Sequence, residues 1–86
     1  MVNRSVIVRQ CVSVTVDETK FDQEFMEYFS QHHYYFRNLD EHLEHLGELY
    51  ARGIVDNHSF IEGYGQASDM GISFNEEWTE SELEKE

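Results

Sequence analysis

The chain has 86 residues, of which 40% are hydrophobic and 14% aromatic, and a formal net charge of −12 at pH 7. A chain of this length forms one domain with a modest core, which excludes separate cofactor and substrate domains. A surface this acidic repels phosphate backbones. We therefore expect a basic protein partner and no direct binding of nucleic acid. Solubility alone needs a net charge of only about 2–8 in a small domain.

Cysteine content and hydropathy point to a cell compartment. Cys11 is the only cysteine, so an intrachain disulfide is excluded and a reducing environment is favoured. The N-terminal stretch lacks the apolar core of a signal peptide, and no apolar run approaches the roughly 20 residues of a membrane span. The sequence therefore predicts a soluble cytoplasmic protein with no membrane partner.

The first predicted element is a strand from Ser5 to Val16. β-branched residues dominate this stretch, and its valines share one parity while more polar residues share the other. One face of the strand is therefore expected to pack inward. The inward residues are Val6, Val8, Val12, Val14 and Val16.

A helix is predicted from Thr19 to His32. Thr19 followed three residues later by Asp22 approximates a capping arrangement at its N-terminus. Aromatic residues recur at every fourth position and form an apolar stripe, which we interpret as core. The stripe consists of Phe21, Phe25 and Phe29.

A second helix follows the aromatic connection HHYYFR. Asn38 is its predicted N-cap, and Glu41 stands where it would complete a capping box. Gly53 is the predicted residue that ends the helix, because glycine adopts the left-handed conformation required there. The buried stripe of this helix is predicted to be Leu39, Leu43, Leu46 and Tyr50.

Two short strands are predicted after the helices, at Ser59–Tyr64 and Met70–Phe74, with GYGQASD as the turn between them. The predicted fold class is α+β, in the order β-α-α-β-β. It is a small single domain, a three-stranded antiparallel sheet with two helices on one face. This domain spans residues 1–75, and residues 76–86 form an acidic C-terminal tail whose Trp78 tucks back on the body of the domain.

The stretch EHLEH contains His42 and His45, which raises the question of a metal site. Zinc-binding helices usually offer two histidines four residues apart, whereas these are three apart. The helical pattern places His42 at the edge of the apolar stripe and His45 on the outer face. A His and carboxylate metal site is therefore the weaker interpretation, and we predict no metal, no cofactor and no catalytic residues.

Carboxylates at helical spacing are the strongest functional pattern. Asp40, Glu44 and Glu48 are four residues apart, with Glu41 beside them, and such a row resembles a phosphate backbone in sign and approximate spacing. A groove rich in Lys and Arg would attract this display. The predicted partner-binding residues are Glu24, Glu27, Asp40, Glu41, Glu44, Glu48, Glu76, Glu77 and Trp78.

Three segments, VTVDETKFDQEFMEYF, NLDEHLEHLGELYARG and SFIEGYGQASDMGISF, resemble small acidic proteins of phages and bacterial mobile elements, some of which are anti-CRISPR proteins. The resemblance covers about residues 12–74 and assigns no role to any residue. It implies an inhibitor in the bacterial host cytoplasm that occupies a basic surface of an RNA-guided complex.

Two other functions stay open from the sequence. One is a structural or adaptor protein of a phage or prophage that forms a homo-oligomer, such as a dimer paired through the first strand. The other is a small metal protein that uses His42, His45 and a carboxylate.

Overall fold

The computed structural model describes residues 1–84. The predicted α+β class is confirmed, since two helices and antiparallel strands make up the chain. In chain order the elements are β1 (Val6–Thr15), α1 (Gln23–His32), α2 (Leu39–Ala51), β2 (Phe60–Ile61), β3 (Gly65–Gln66) and β4 (Ser73–Leu83), with 3-10 turns at Glu18–Lys20 and Ala67–Met70.

The strands within residues 1–84 form two separate two-stranded sheets, so the predicted three-stranded sheet is wrong. β1 pairs with β4, and β2 pairs with β3 in a hairpin of two residues on each side. The predicted strand Ser59–Tyr64 turns back after Ile61, because Gly63 and Gly65 both have positive φ, at 89° and 94°. Glycines at these positions reverse the chain instead of extending it.

β4 pairs with β1 over its whole length, from Thr15 opposite Ser73 to Val6 opposite Leu83. The predicted domain boundary at residue 75 lies inside this strand, and residues 76–83 are exposed but continue the ribbon instead of leaving it as a separate tail. Backbone hydrogen bonds hold a strand of this kind, and because residues 75–83 are exposed on both faces they need no apolar alternation. Residues 85 and 86 of the predicted tail lie outside the described residues.

The β1–β4 ribbon makes the molecule elongated. Its radius of gyration is 15.8 Å and its extents are 52 × 23 × 21 Å. A compact domain of this length would have a radius of gyration of about 12 Å. The difference arises because the outer end of the ribbon, where Val6 and Val8 are exposed, projects beyond the helices.

α1 begins at Gln23, four residues later than predicted. The side chain of Asp22 accepts a hydrogen bond from the Phe25 N–H at 2.8 Å and is the N-cap. Asp17 accepts from the Thr19 N–H at 3.0 Å and caps the preceding 3-10 turn. Two Asp caps therefore divide the predicted helix into two elements.

α2 has the predicted ends. Asn38 Oδ1 accepts from the Glu41 N–H at 3.1 Å, as expected of the N-cap. The Glu41 carboxylate bonds to the backbone N–H of Arg37 at 2.6 Å, one residue before the cap, so the capping box is displaced. At the other end Gly53 has a φ of 74°, and its N–H and that of Ile54 bond to carbonyls of the last turn in a Schellman motif.

The core lies between the helices, the small hairpin and the inner end of the ribbon. α2 packs on the ribbon face that carries Val12 and Val14, which we call the helix face; the opposite face carries Cys11 and Ser13 and is called the far face. The buried residues are Phe21, Phe29, His42, Leu46, Ile61, Tyr64, Ala67, Ile72 and Phe74.

No helix within residues 1–84 has the length and apolarity to cross a membrane.

Candidate partner-binding surface

The row of carboxylates on α2 lies on the surface of the molecule. Asp40, Glu44 and Glu48 are exposed, and Glu41 is half-buried. Glu41, Glu44 and Glu48 border one shallow depression together with the exposed ring of Tyr35. α2 therefore presents an acidic strip with an aromatic side chain beside it, which we call the α2 strip and define by these five residues.

Two arginines neutralise part of the α2 strip. Arg37 forms an ion pair with Glu41 at 3.2 Å, and Arg52 forms one with Glu48 at 2.7 Å. The backbone N–H of Arg37, followed by its guanidinium, holds the pKa of Glu41 below its usual value. Among residues 1–84, Asp40 and Glu44 have no ion-pair partner. These two carboxylates carry the uncompensated charge of the strip.

Glu24 and Glu27 lie on α1, and both side chains are exposed. Gln23 Nε2 donates a hydrogen bond to the Glu27 carboxylate at 3.1 Å, along the surface of the helix. Glu24 lies in the first turn of α1, where the partial positive charge of the helix N-terminus stabilises a carboxylate. Part of the acidity of α1 therefore serves the helix itself.

The predicted C-terminal residues divide between the two ribbon faces. Opposite residues of paired strands share a face, so Glu76, opposite Val12, lies on the helix face. Trp78 lies opposite Cys11 on the far face and is 49% exposed. Glu77 falls at the bulge between them. Its carboxylate accepts a hydrogen bond from the Cys11 thiol, which raises the pKa of that thiol. Trp78 and the α2 strip therefore lie on opposite sides of the ribbon.

The far face carries further carboxylates that sequence reasoning did not select. Glu80 pairs with Arg9 at 3.3 Å, and Glu82 lies opposite Ile7. The sequence predicts both residues to lie in a tail, and a tail has no strand register. The register with β1 is what places them beside Trp78 on one face.

His42 is fully buried, so the predicted position at the edge of the stripe is wrong. Its Nδ1 lies 2.8 Å from the hydroxyl of Tyr64, and its Nε2 has no hydrogen-bond partner among the described residues. Burial lowers the pKa of His42 to about 4 and raises that of Tyr64. Four phenylalanine rings pack around the imidazole with centroids 4.7–5.8 Å from its own: Phe21, Phe25, Phe29 and Phe36.

His45 is half-buried, so its predicted place on the outer face is also wrong. Its ring packs against those of Tyr34 and Phe36, and burial lowers its pKa. No group of three or more His, Cys, Asp or Glu side chains within residues 1–84 is placed to hold a metal ion. The EHLEH stretch thus contributes its histidines to aromatic packing.

A second surface feature is a cavity of about 500 Å³ beside His45. Exposed apolar side chains surround its mouth, and two further histidines from the end of α1 join it. Within the described part of the chain, the one carboxylate that lines it is Glu62. In the sequence, the HHYY run is the signal for this cavity. Only the folded chain brings that run next to the β2–β3 hairpin. The lining includes His32, His33, Tyr34, Ile54 and Phe60.

Comparisons with known proteins found no relative of this chain. No protein-family model, no curated protein and no solved structure matches it.

Proposed function

We propose that this chain is a non-enzymatic inhibitor of a bacterial nucleic-acid-binding defence complex of the RNA-guided kind. It binds the basic DNA-binding surface of that complex through the α2 strip and blocks the surface by charge and bulk. The observation that carries the proposal is the exposed carboxylate row of α2 in a chain of net charge −12.

The spacing of the carboxylates supports mimicry of DNA. Asp40, Glu41, Glu44 and Glu48 span eight steps of a helix that rises 1.5 Å per residue, or about 12 Å. Four charges over this length amount to one per roughly 4 Å of axis. A single DNA strand carries one phosphate per about 3.4 Å. A Lys- and Arg-rich groove would therefore meet carboxylates at a similar spacing on this helix, two of which, Glu41 and Glu48, are paired with Arg37 and Arg52.

The rigidity of α2 also favours this role. Its N-terminus is fixed by Asn38 and by the bond from the Arg37 N–H to Glu41, and its C-terminus by the turn at Gly53. A display held on a capped helix loses little conformational entropy on binding. Tyr35, exposed beside the carboxylates, is a suitable anchor, because interface hot spots are enriched in tyrosine.

The test uses charge reversal at exposed positions, of which only Glu48 also loses an ion pair, the one with Arg52. Glu44→Lys with Glu48→Lys reverses two charges of the α2 strip, and Glu82→Lys with Glu84→Lys makes the same change in charge on the ribbon, away from α2. Each tagged protein is used to capture proteins from bacterial lysate at low and high salt, with identification by mass spectrometry.

We expect the unmodified protein to retain a basic nucleic-acid-binding complex that salt or competing duplex DNA releases. The α2 double variant should lose this complex, and the ribbon double variant should keep it. Equal retention by both variants would show that the total charge, and not the α2 strip, is responsible. Capture of no basic complex would refute the proposal.

A second candidate function is a structural or adaptor protein that acts as a homo-oligomer. The observation in its favour is the projecting ribbon, whose apolar residues are exposed at the outer end. A protein of this class would bind its own copies and retain no basic complex. Self-association alone does not separate the two functions, because an inhibitor can also act as a dimer.

A further inference from the structure

The outer edge of β1 is open along the whole ribbon. Odd-numbered residues turn their backbone groups toward β4: the Ser5 carbonyl accepts from the Glu84 N–H at 2.8 Å. Because these groups alternate along a strand, the even-numbered residues direct N–H and C=O away from β4. Within residues 1–84 no strand pairs with this edge. The residues with outward backbone groups are Val6, Val8, Gln10, Val12 and Val14.

The outer edge of β4, by contrast, is protected. At its inner end the Asn57 side chain accepts from the Phe74 N–H at 2.6 Å and donates to the Phe74 carbonyl at 3.3 Å, in the place of a neighbouring strand. Two β4 edges brought together would set like charges side by side, which disfavours pairing. The glutamates on or just after β4 are Glu76, Glu77, Glu80, Glu82 and Glu84.

Charge distinguishes β1 from the rest of the chain. Residues 1–16 contain two arginines and no acidic residue, so all 18 acids lie elsewhere. The edge of β1 is therefore a stretch of surface on which two copies of a strongly acidic protein can approach. A second copy of this chain fits this edge better than a basic partner, which the acidic surfaces would attract.

The side chains on β1 also lack cover at its outer end. Val12 and Val14 are half-buried beneath α2, but Val6 and Val8 on the same face are 54% and 62% exposed, and their neighbour Leu83 is 56% exposed. The apolar stripe of the core thus continues past the helix into water. An isolated two-stranded ribbon is marginally stable, and additional strands stabilise it.

We propose that two copies of this chain pair antiparallel through the outer edges of β1, with the two-fold axis at Gln10. The product is a continuous four-stranded sheet in the order β4-β1-β1-β4. Val6 of one copy lies opposite Val14 of the other, and Val8 lies opposite Val12. This inference does not depend on the proposed function.

The register follows from the open positions and from charge. Residues that lie opposite each other share a face of the sheet, so an even-numbered residue must pair with an even-numbered one. The two-fold axis must therefore lie at a residue and not between two successive residues. An axis at Gln10 pairs all five outward positions and forms on the order of ten backbone hydrogen bonds. An axis at Arg9 would set the two Arg9 side chains against each other, which is unfavourable.

The α2 helices of the two copies fit side by side on one face of such a sheet. A two-fold axis perpendicular to the sheet keeps both α2 helices on the helix face, each over residues 12–14 of its own copy. Their centres are then about 20 Å apart along the strands, roughly twice a helix diameter. Each α2 lies beside the exposed Val6 and Val8 of the other copy. The open groove between α2 and β1 faces them, and it is lined by the apolar Val12, Val14 and Leu43 and at its rim by Glu44 and Glu48.

The pairing stops at two copies. It uses the same surface of both molecules, so it closes with two-fold symmetry. The remaining edges of the sheet are the two acidic β4 strands, which resist further addition. A head-to-tail pairing of β1 with β4 of the next copy would instead produce an open filament.

The first test measures molar mass by light scattering coupled to size exclusion, from micromolar to millimolar protein. We expect the mass of two chains, each of 10.2 kDa. Gln10→Pro removes an outward N–H and leaves the β1–β4 ladder intact, so it should give the mass of one chain. Thr79→Pro is the matched control, since Thr79 lies directly opposite Gln10 and its N–H faces the outer edge of β4; it should stay dimeric.

Three outcomes would overturn the proposal: a single-chain mass at every concentration, larger polymers, or a Gln10→Pro variant that remains a dimer. Cysteine cross-linking decides the matter if Gln10→Pro fails to fold by circular dichroism. In a Cys11→Ser background, Gln10→Cys places two thiols directly across the axis, with Cα atoms about 5.5 Å apart, within disulfide range. We expect a covalent dimer from Gln10→Cys on mild oxidation and none from Thr79→Cys. Absence of the Gln10→Cys dimer would refute the pairing.

Discussion

The imidazole Nδ1 of His42 lies 2.8 Å from the hydroxyl of Tyr64, and both side chains are buried among phenylalanine rings. This is the polar pair within an otherwise apolar core. The Tyr64 hydroxyl and His42 Nδ1 satisfy each other, while His42 Nε2 has no partner among residues 1–84. A buried polar group without a partner is costly. The pair links α2 to the turn between β2 and β3, so it also fixes the hairpin on the helix.

Tyr64→Phe removes the hydroxyl and leaves His42 Nδ1 buried without a partner. We expect the free energy of unfolding to fall by about 1–3 kcal/mol at pH 7, measured by urea denaturation. The control is the double variant Tyr64→Phe with His42→Leu, in which both polar groups are replaced. It should lose less than the sum of the two single variants, and strict additivity would contradict the pairing.

The stability of the protein should fall in mild acid because of His42. Burial lowers the pKa of His42 from 6.5 to about 4, so the unfolded chain binds this proton more readily than the folded protein. The contribution of neutral His42 to the free energy of unfolding is fully present above pH 6.5. It is lost as the pH falls toward 4, by about 3 kcal/mol in all. Urea denaturation at pH 7 and pH 4 measures the change.

His42→Leu separates this effect from the titration of the carboxylates. The carboxylates titrate in both proteins, so the difference between wild type and His42→Leu isolates the histidine. We expect that difference to shift in favour of the variant between pH 7 and pH 4. A constant difference would mean that His42 is protonated in the folded protein without penalty.

Gly63→Ala should destabilise the protein more than Gly65→Ala. Both residues have positive φ, so both substitutions strain the backbone by about 1–2 kcal/mol. A Cβ on Gly63 would lie 2.6 Å from Cε2 of the buried Phe29, whereas a Cβ on Gly65 meets nothing within 4 Å. The overpacked variant should lose a further 1–3 kcal/mol or so. Equal losses in thermal or urea denaturation would contradict the close approach of Gly63 to α1.

Asn57→Ala should loosen the inner end of the ribbon. It removes both hydrogen bonds to the backbone of Phe74, at an expected cost of about 1–2 kcal/mol in the free energy of unfolding. Asn57→Asp keeps the acceptor for the Phe74 N–H and loses only the longer bond, so it should cost less. Amide hydrogen exchange at Phe74 provides the local measurement, and equal protection in all three proteins would be inconsistent with this role.

The parts of the fold that the sequence predicted well are those set by local chemistry. Asn38 and Gly53 mark the ends of α2 because each residue type satisfies backbone groups within its own turn. The same holds for β1, whose valine alternation reflects one covered face. Only its outer half differs, because no helix reaches Val6 and Val8.

The parts that it missed depend on contacts distant in the chain. β4 is rich in glutamate on both faces, so it has no pattern that separates it from a tail until its pairing with β1 is known. His42 lies beside the predicted stripe and is buried because Tyr64, 22 residues away, supplies its hydrogen bond. Of the candidate surface, the exposed α2 row could be predicted from helical spacing, whereas the division of Glu76 and Trp78 between two faces could not.

The proposed inhibition is tested most directly by titrating this protein into the captured complex bound to fluorescent duplex DNA and following DNA binding by anisotropy. We predict that the DNA is displaced, and that Glu44→Lys with Glu48→Lys requires about tenfold more protein for the same displacement. The variant Glu82→Lys with Glu84→Lys should act like wild type. DNA binding that persists at saturating protein, or equal displacement by both double variants, would contradict a block by the α2 strip.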